Sequence, residues 1–533
     1  MRERRAIEGV RALLAGLLLG VCIAMSTAAH AQTLRIANQG DLLSLDPHSN
    51  SEALQLSLTQ NVYETLMGRD KTLGLMPLLA TRWREVGPSV WRFELRRGVR
   101  FHDGTPFTAD DVVFSLARAA GEGSDLRAYT HDIREVRRVD DFTVDIETRA
   151  PYPILPEVLS QVAIMSRKWC EEQQATRPAD TRRGIDNAAT RRANGTGPFT
   201  VRERQPGVRT VFARHDGYWG AVEGNVREVV FTPIASDATR VAALLAGEVD
   251  VVEPVPVQDI ERLSFSQRVR AVVGPELRTI FLGMDQWRDE LPQSDVRGRN
   301  PFKDKRVRQA FYQAIDIDAI QKLVMRGASR PTGLLVGPGI NGWSQAQDQR
   351  LPHDPAAARR LLAEAGYPQG FSLTLACPND RYVNDSQICQ AVAAQLARVG
   401  VRVNLAIEPK ATYFPRVLRR EASFYLFGWI PSTYDAHNVL DALMRCPDDQ
   451  GAGQFNLGRY CNPALDAITL RVRSETDRLR RDTLIREAFA LHAADIGHLP
   501  LHQQSLAWGV SRQVELVQLA DNGMPFKWIS IRR

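Results

Sequence analysis

The sequence lacks several of the short motifs by which common enzymes are recognised. Its 533 residues contain no G-x-S-x-G elbow, no S-x-x-K, no H-E-x-x-H and no G-x-x-x-x-G-K phosphate loop. The paired acids Asp110-Asp111 and Asp448-Asp449 are adjacent, so their side chains diverge on a helix or strand and make poor acid–base couples. Catalytic groups can assemble from distant positions, so these absences do not exclude an enzyme. They favour a protein without catalytic residues.

Blocks of like charge and long apolar runs are also missing. The 68 basic and 62 acidic residues are interspersed, which predicts no nucleic-acid partner. After residue 31, no segment provides the ~20 apolar residues that a membrane span needs. The apolar share of 44% and the charged share of 24% are typical of a folded soluble protein. Since a single core rarely exceeds ~250–300 residues, we expect at least two lobes.

The first 31 residues predict a secretory signal peptide. Four arginines precede an apolar run over 12–25, and the small-residue exit Ala29-His30-Ala31 follows. A membrane anchor is the alternative, but this run is too short to span a bilayer. A lipoprotein would use Cys22, yet Val21 is a poor fit to the small residue that such processing prefers. The sequence therefore predicts an exported protein, cleaved after Ala31.

Five cysteines remain after that cleavage, and an oxidising compartment allows them to pair. Cys446 and Cys461 flank a loop rich in proline, aspartate and glycine, which favours a local disulfide. Cys377 and Cys389 are a second candidate pair whose state stays open, and their pairing would leave Cys170 free. Zinc is the rival interpretation, but the sequence has no C-x-x-C.

No metal or cofactor site is predicted. His498 and His502 are four residues apart, a spacing that could place two ligands on one helix face. Pro500 lies between them and breaks that geometry. Ordinary loop histidines are the preferred interpretation.

The two halves of the chain differ in the predicted order of their strands and helices. The first half is rich in hairpins, and Thr108 with Asp111 predicts a helix start. The second half alternates strands and helices, which indicates a largely parallel sheet with helices on its faces. There, strands are predicted at 371–375, 401–407 and 423–428, and helices at 384–399, 412–420 and 474–494. We expect two unequal α/β lobes, with the strand-like tail from residue 507 returning to the first.

Several segments together resemble the extracytoplasmic solute-binding proteins, family 5, of bacterial ABC importers, the dipeptide, oligopeptide and nickel-binding type. They are spread in family order over the mature chain, and their sum is more specific than any one of them. The segments are 44–47 (SLDP), 63–66 (YETL), 91–112 (WRFELRRGVRFHDGTPFTADDV), 195–199 (GTGPF), 218–220 (YWG), 247–250 (GEVD), 302–310 (FKDKRVRQA) and 363–367 (AEAGY).

The resemblance implies a two-lobed, type II Venus-flytrap fold with a discontinuous first lobe. This lobe is placed at 32–275 plus 503–533, with an inserted subdomain at about 67–200, and the second at 276–502. Crossovers near 273–283 and 498–508 would form the hinge. The implied protein is a periplasmic monomer that captures a small, peptide-like solute and delivers it to the ABC permease in the inner membrane. It would have no catalytic residues and no cofactor.

Two segments are candidates for ligand contact, because ligands bind beyond the carboxyl ends of parallel strands. Arg381 and Tyr382 follow the first predicted strand, and the arginine could hold a ligand carboxylate; in the family's peptide-binding branch an arginine occupies roughly this loop, and Asn379 is the alternative match. Trp429 and Tyr434 follow another strand and offer flat stacking surfaces. The remaining candidates are Ser432, Asp435, Asn38 and Ser44, the last two from the first lobe.

One position departs from the family. Dipeptide receptors usually carry an aspartate three residues after this tryptophan, where it meets the ligand's ammonium group, but this chain has Ser432. Asp435 is the nearest acid, although it could instead cap the next helix. A non-peptide solute such as a nickel chelate, an opine or haem is therefore the alternative ligand. An exported hydrolase and an adhesion or chaperone protein are the alternatives from other functional classes.

Overall fold

The computed structural model describes residues 33–180, 183–448 and 451–532. The predicted signal peptide, with its cleavage after Ala31, lies outside these residues. The strands are β1 Thr33–Asn38, β2 Met67–Arg69, β3 Leu75–Pro77, β4 Ala80–Gly87, β5 Val90–Leu95, β6 Ile133–Asp140, β7 Thr143–Thr148, β8 Phe199–Gln205, β9 Arg209–Arg214, β10 Glu228–Pro233, β11 Val251–Glu253, β12 Val269–Met284, β13 Ser329–Pro331, β14 Ser372–Pro378, β15 Arg402–Glu408, β16 Phe424–Trp429, β17 Leu499–Ser511, β18 Val514–Glu515 and β19 Ser530–Ile531.

Helices connect and cover these strands. The α-helices are Ala53–Thr59, Ala109–Ala119, Arg127–Thr130, Leu155–Leu159, Arg167–Glu172, Asp237–Ala246, Ile260–Ser264, Lys305–Ala314, Ile317–Ala319, Pro355–Glu364, Asp385–Ala397, Lys410–Leu418, His437–Val439, Pro463–Ser474 and Arg478–Asp495. Short 3-10 turns lie at Ala188–Thr190, Val257–Asp259, Pro301–Lys303 and Phe526–Trp528, and π-turns at Ile320–Val324 and Leu440–Met444. No helix of the described ranges combines the length and the apolar character that a bilayer span requires.

The main sheet runs in the order β15-β14-β16-β12-β17-β11-β1-β10-β9-β8, with β13 added to β17. β14 is parallel to both β15 and β16, and β1 is parallel to both β10 and β11. The alternation of strands and helices in the second half therefore does form parallel pairs. Fold and sequence pattern agree there because each crossover carries a helix.

Two long antiparallel strands join the two halves of this sheet. β12 and β17 pair from Val269↔Ser511 to Leu282↔Leu499, with irregular register between Pro275 and Thr279. One end of β17 pairs with β11, and the far end of β12 pairs with β16. The two segments expected to act as hinges fall within this pair of strands.

A separate four-stranded sheet, in the order β4-β5-β7-β6, has a core of its own. Phe93 and Leu95 face that core, as their alternation in the sequence indicates. Thr108 and Asp111 form the expected capping box at the start of Ala109–Ala119. This core lies between residues 66 and 164, inside the stretch proposed as an inserted subdomain.

Motif residues of the first half form its framework. The buried Glu64 carboxylate accepts hydrogen bonds from Thr196 Oγ1 (2.8 Å), Tyr218 OH (2.7 Å) and Trp219 Nε1 (2.8 Å). Gly195 has to be glycine because a Cβ there would lie 1.9 Å from the Val62 carbonyl oxygen. Packing, rather than ligand contact, explains these motif segments.

The five cysteines within the described ranges form two disulfides and one thiol. Cys446 is bonded to Cys461, the pair that the sequence favours, and Cys377 is bonded to Cys389. Cys170 is free and buried, and this burial raises the pKa of its thiol to about 12. A thiol with so high a pKa is unreactive at neutral pH.

Two sequence expectations differ in detail from the structure. The helix expected over 474–494 begins at Arg478, because Asp477 caps it by accepting a hydrogen bond from the Arg480 amide, and a separate helix precedes it. His498 lies beside the histidine at residue 492, with Nδ1 2.9 Å from that ring's Nε2, and not beside His502. Among the described residues, no cluster of three or more histidine, cysteine or acidic side chains could hold a metal ion.

Candidate functional site

A cavity of about 1420 Å³ lies between the two halves of the molecule. Glu52, Ser57 and Gln60 line it from the first half, together with side chains of the four-stranded unit. The opposite wall begins where β14 and β16 end. Because these two strands are parallel, their carboxyl ends open at the same edge of the sheet and bring two distant loops together.

Two arginines line one part of this wall. The guanidinium carbon of Arg381 lies 5.5 Å from the centroid of the Tyr382 ring, and that of Arg278 lies 5.8 Å from the same centroid. Arg278 is paired with Glu276, whose Oε1 lies 3.2 Å from its Nε. No described residue accepts a hydrogen bond from the Arg381 guanidinium. Burial, and then the charge of Arg278, lower the pKa of Arg381.

The Arg381 guanidinium has no ion-pair partner among the described residues. Glu276 is paired with Arg278, and Glu52 acts on Arg381 only through its charge, so the Arg381 guanidinium keeps its hydrogen-bonding capacity for another group. A planar guanidinium matches a carboxylate by two parallel hydrogen bonds. Chemically, this part of the cavity is suited to an anionic group.

Tyr382 and Trp429 form a rigid aromatic surface beside the arginines. The hydroxyl of Tyr382 accepts a hydrogen bond of 2.9 Å from the Gly428 amide, which ties the end of β14 to the end of β16. Trp429 donates from Nε1 to Asn438 Oδ1 at 2.8 Å, and its ring centroid lies 4.7 Å from that of Phe455. Trp429 stays partly exposed to the cavity and can stack against a ligand.

The next residues contact the opposite side of the cavity. Ser432 Oγ lies 2.7 Å from the hydroxyl of Tyr129, which belongs to the four-stranded unit. The Tyr434 hydroxyl donates to Asp521, and the Arg69 guanidinium lies 4.3 Å from the centroid of the Tyr434 ring. Ser432 and Tyr434 are therefore cavity residues that also join the two walls.

An ion pair adds to these contacts at the cavity edge. Arg473, from the helix Pro463–Ser474, pairs with Asp132, just before β6. The Asp132 side chain is only 4% exposed, so its charge depends on this partner. The two walls are held together by polar contacts between side chains, which describes a closed conformation.

Three of the predicted ligand residues do not reach the cavity wall. Asn38 is buried, and its Nδ2 donates to Glu253 Oε1 at 2.9 Å. Ser44 is fully buried in a turn, where its Oγ accepts a hydrogen bond from the Asp46 amide. Asp435 accepts two hydrogen bonds from Arg481, at 2.6 and 2.7 Å. In each case internal partners use the polar groups that the sequence analysis assigned to a ligand.

Asp435 binds the backbone at the start of the next helix, close to the capping role that was its alternative prediction, although Ala436 occupies the cap position. Asp435 accepts a hydrogen bond of 2.8 Å from the amide of His437, at the start of the helix His437–Val439. Although burial alone would raise the pKa of Asp435, the hydrogen bonds and charge of Arg481 hold it below its ordinary value. The carboxylate is a fixed structural anion.

Several cavity residues were not singled out from the sequence. They are Arg278, Tyr129, Thr433, His437 and Asp441. Arg278 lies inside the long strand β12, where a buried charge gives no local signal. Thr433 and His437 lie within the candidate segment 428–438 but were not chosen as contacts, and Asp441 lies three residues beyond its end.

The chain is similar to known proteins at three levels: a family model, related sequences and solved structures. Residues 74–451 match the family model of bacterial extracellular solute-binding proteins, family 5. The glutathione-binding protein GsiB of Pectobacterium atrosepticum is 28% identical over 462 residues, which cover 85% of each chain. The periplasmic binding protein DppA from Helicobacter pylori, solved with the peptide STSA, superposes with a TM-score of 0.80 at 21% identity and covers 95% of this chain and 100% of its own.

One structural neighbour was solved with a ligand that is not a peptide. The binding protein AgaA from A. tumefaciens R10, in complex with agropinic acid, superposes with a TM-score of 0.79 at 20% identity. The superposition covers 94% of this chain and 99% of that one. The two-lobed α/β fold is therefore common to proteins that bind different ligands.

Proposed function

The chain belongs to the bacterial extracellular solute-binding proteins of family 5, and we propose that it captures a small peptide or peptide-like anion for an ABC importer. The observation that supports this ligand class best is the Arg381 guanidinium in the cavity between the two walls, which has no hydrogen-bond or ion-pair partner among the described residues. A free C-terminal carboxylate is the anionic group that every unmodified peptide carries. The relative GsiB, by its name, binds glutathione, which is such a peptide.

The mechanism is a binding equilibrium rather than a reaction. We assign residues 32–275 and 503–533 to one lobe and 276–502 to the other, with the long strands β12 and β17 as the hinge. A ligand that contacts both lobes binds the closed form more tightly and so shifts the population toward it. The protein acts as a monomer in the periplasm, and the closed form docks on the membrane permease.

The size of the cavity suits a short peptide. Sites for drug-sized molecules are ~300–1,000 Å³, so a cavity of about 1420 Å³ has room for several residues. Trp429 and Tyr382 offer aromatic surface that is tolerant of different side chains. We expect selectivity for the charged end of the ligand and tolerance along its length.

A non-peptide solute remains the second candidate because of Ser432. Its hydroxyl is bonded to Tyr129, so the position where dipeptide receptors usually hold the ligand's ammonium group is occupied by a contact between the walls. An anion without a primary α-amino group, such as an opine, would not need that anchor.

Replacement of Arg381 tests the carboxylate site. In Arg381→Gln, the loss of a charge-assisted pair should cost ~2 kcal/mol, or about a thirtyfold rise in Kd for the cognate ligand. Its melting temperature without ligand should not fall, because the like charge of Arg278 is relieved. Arg398→Gln, an exposed arginine outside the cavity, is the matched control.

The ligand panel for isothermal titration calorimetry is glutathione, the tetrapeptide STSA and agropinic acid. Native mass spectrometry of protein purified from periplasm should identify any bound molecule directly. Peptide binding that Arg381→Gln weakens supports the proposal. Binding of agropinic acid alone would transfer the protein to the second candidate, and an unchanged Kd in Arg381→Gln would refute the carboxylate site.

A further inference from the structure

One lysine differs from the others in its surroundings. The chain has seven lysines, all within the described ranges, and six of them are exposed. Lys527, in the 3-10 turn between β18 and β19, is partly buried and lines the cavity. No described residue pairs with its ammonium group or accepts a hydrogen bond from it. Because lysines are rarely buried without a partner, this position indicates a partner that enters the cavity.

The acids around this lysine have partners of their own. Glu64 and Glu223 are the acids whose charges act on Lys527. Glu64 accepts hydrogen bonds from a threonine, a tyrosine and a tryptophan, and burial still raises its pKa. The Glu223 carboxylate lies 2.6 Å from Lys71 Nζ. Neither acid is bonded to Lys527, so its ammonium group keeps three donors for another acceptor.

Burial makes an anionic partner favourable for this lysine. It lowers the pKa of Lys527, because a charge loses solvation where water is partly excluded. At the cavity edge, Arg473 offsets this cost through its ion pair with Asp132. Arg381 and Lys527 have no such ion pair among the described residues. An anion that enters the cavity would therefore stabilise each of them in its charged form.

The chain around Lys527 is fixed to the first half of the molecule. The Phe526 amide donates a hydrogen bond of 2.7 Å to Asn61 Oδ1. The Lys527 carbonyl accepts a hydrogen bond of 2.8 Å from the Gly224 amide. Lys527 Nζ lies 5.7 Å from the centroid of the Trp528 ring, which also lines the cavity. The lysine is therefore held on the wall opposite the ends of β14 and β16, and its position is preorganised.

The helix Ala53–Thr59 gives the approximate separation of Lys527 from Arg381. The charge of Glu52, which caps the start of this helix, acts on Arg381. Just beyond the other end, Asn61 accepts a hydrogen bond from the amide of the residue before Lys527. Seven residues of α-helix span ~10 Å, and an extended peptide covers ~3.5 Å per residue. A molecule with anionic groups at the two ends of about three residues would match both cations.

We propose that the Lys527 ammonium group binds a second carboxylate of the ligand whose C-terminal carboxylate Arg381 holds. This inference rests on the proposed function and makes it more specific, because the ligand class becomes a short peptide or peptide-like molecule with two carboxylates. A ligand held by both cations contacts both walls of the cavity. Binding at Lys527 therefore favours the closed form as well as selecting the ligand.

Lys527→Gln is the test variant, and Lys71→Gln is its matched control. Both ammonium groups lie 5.7 Å from the centroid of the Trp528 ring, but Lys71 is exposed and does not line the cavity. If Lys527 only stabilised Trp528 or Glu64, its loss should lower the melting temperature without ligand and leave ligand selectivity unchanged. A ligand-binding lysine gives the opposite result: selectivity is lost, and the melting temperature without ligand stays the same or rises, because the cost of burying the charge is relieved.

The probes for calorimetry are the tripeptide EAA, its neutral isostere QAA, and glutathione, which has two carboxylates. Wild type should bind EAA about tenfold more tightly than QAA. Lys527→Gln should remove that preference and weaken glutathione binding by the same factor, Lys71→Gln should change neither, and Arg381→Gln should weaken all three probes.

Equal affinity of wild type for EAA and QAA, or a preference that survives in Lys527→Gln, would overturn the second carboxylate site. An effect of Arg381→Gln on the same peptides would still uphold the proposed function. Binding of STSA alone would likewise overturn the second site and leave the proposed function standing. If neither these probes nor STSA bind wild type, both proposals fail.

Discussion

The bond between Tyr129 and Ser432 should contribute to ligand affinity without touching the ligand. Their oxygens lie 2.7 Å apart across the cavity, one on the four-stranded unit and one on the loop after β16. In an open form, both hydroxyls would be free to bind water. The bond therefore stabilises the closed form alone, and with it the ligand complex.

The contribution of this hydrogen bond to affinity follows from the usual net strength of such a bond. A neutral intramolecular hydrogen bond has a net value of ~0.5–1.5 kcal/mol, which corresponds to about a two- to tenfold change in Kd. Tyr129→Phe removes the hydroxyl and keeps the packing of the ring. We expect Ser432→Ala to raise Kd by the same factor, since either substitution breaks the same bond.

The assay is a double-mutant cycle measured by calorimetry with the tightest peptide of the panel. If the two hydroxyls act through each other, the double variant should match either single variant, with a coupling energy of ~1 kcal/mol. Small-angle scattering without ligand should show a larger fraction of open molecules in all three variants. Additive effects on Kd would refute the reasoning, because they would mean that Ser432 contacts the ligand directly.

Two further predictions concern stability. Burial lowers the pKa of several imidazoles below the unfolded value of 6.5, to about 4 for His48 and His102 and to about 3 for His492 and His502. Since the unfolded chain then binds more protons, the stability that each ring contributes is complete above pH 6.5 and is lost as pH falls toward the folded pKa, at ~2 kcal/mol per ring by pH 5. The melting temperature should therefore fall steadily from pH 7 to 4, and a flat profile would contradict this. Each disulfide closes a loop of 12 or 15 residues, worth ~3 kcal/mol. Because the unfolding entropy of ~500 residues is ~1 kcal/mol/K, the serine pair Cys446→Ser/Cys461→Ser should melt about 3 °C lower, and an equal melting temperature would show that the bond is dispensable.

The parts of the site that depend on one strand end were predictable from the sequence. The apolar run of β14 followed by Pro378 places Arg381 and Tyr382 beyond a carboxyl end, and the structure puts both in the cavity wall. Trp429 follows from β16 by the same rule. The rule is general because strand direction is readable from the alternation of strands and helices.

The parts that depend on pairing between distant residues were not predictable. Tyr129 and Ser432 are 303 positions apart, and neither neighbourhood indicates the other. Asp435 appeared to be free for a ligand because Arg481, 46 residues later, carries no local sign of being its partner. Asn38 was predicted as a ligand contact for the same reason, because its partner Glu253 lies 215 residues further along the chain.

We expect the loop after β16 to couple occupancy of the cavity to closure, because neighbouring residues in it contact different walls. Ser432 and Tyr434 contact the opposite wall, whereas Thr433 between them presents its unpaired hydroxyl to the cavity. Asp435 holds the segment in place through its ion pair with Arg481. A ligand that orders Thr433 therefore also positions the two residues that hold the walls together. The double-mutant cycle on Tyr129 and Ser432 therefore decides whether the serine at 432 serves closure or contacts the ligand.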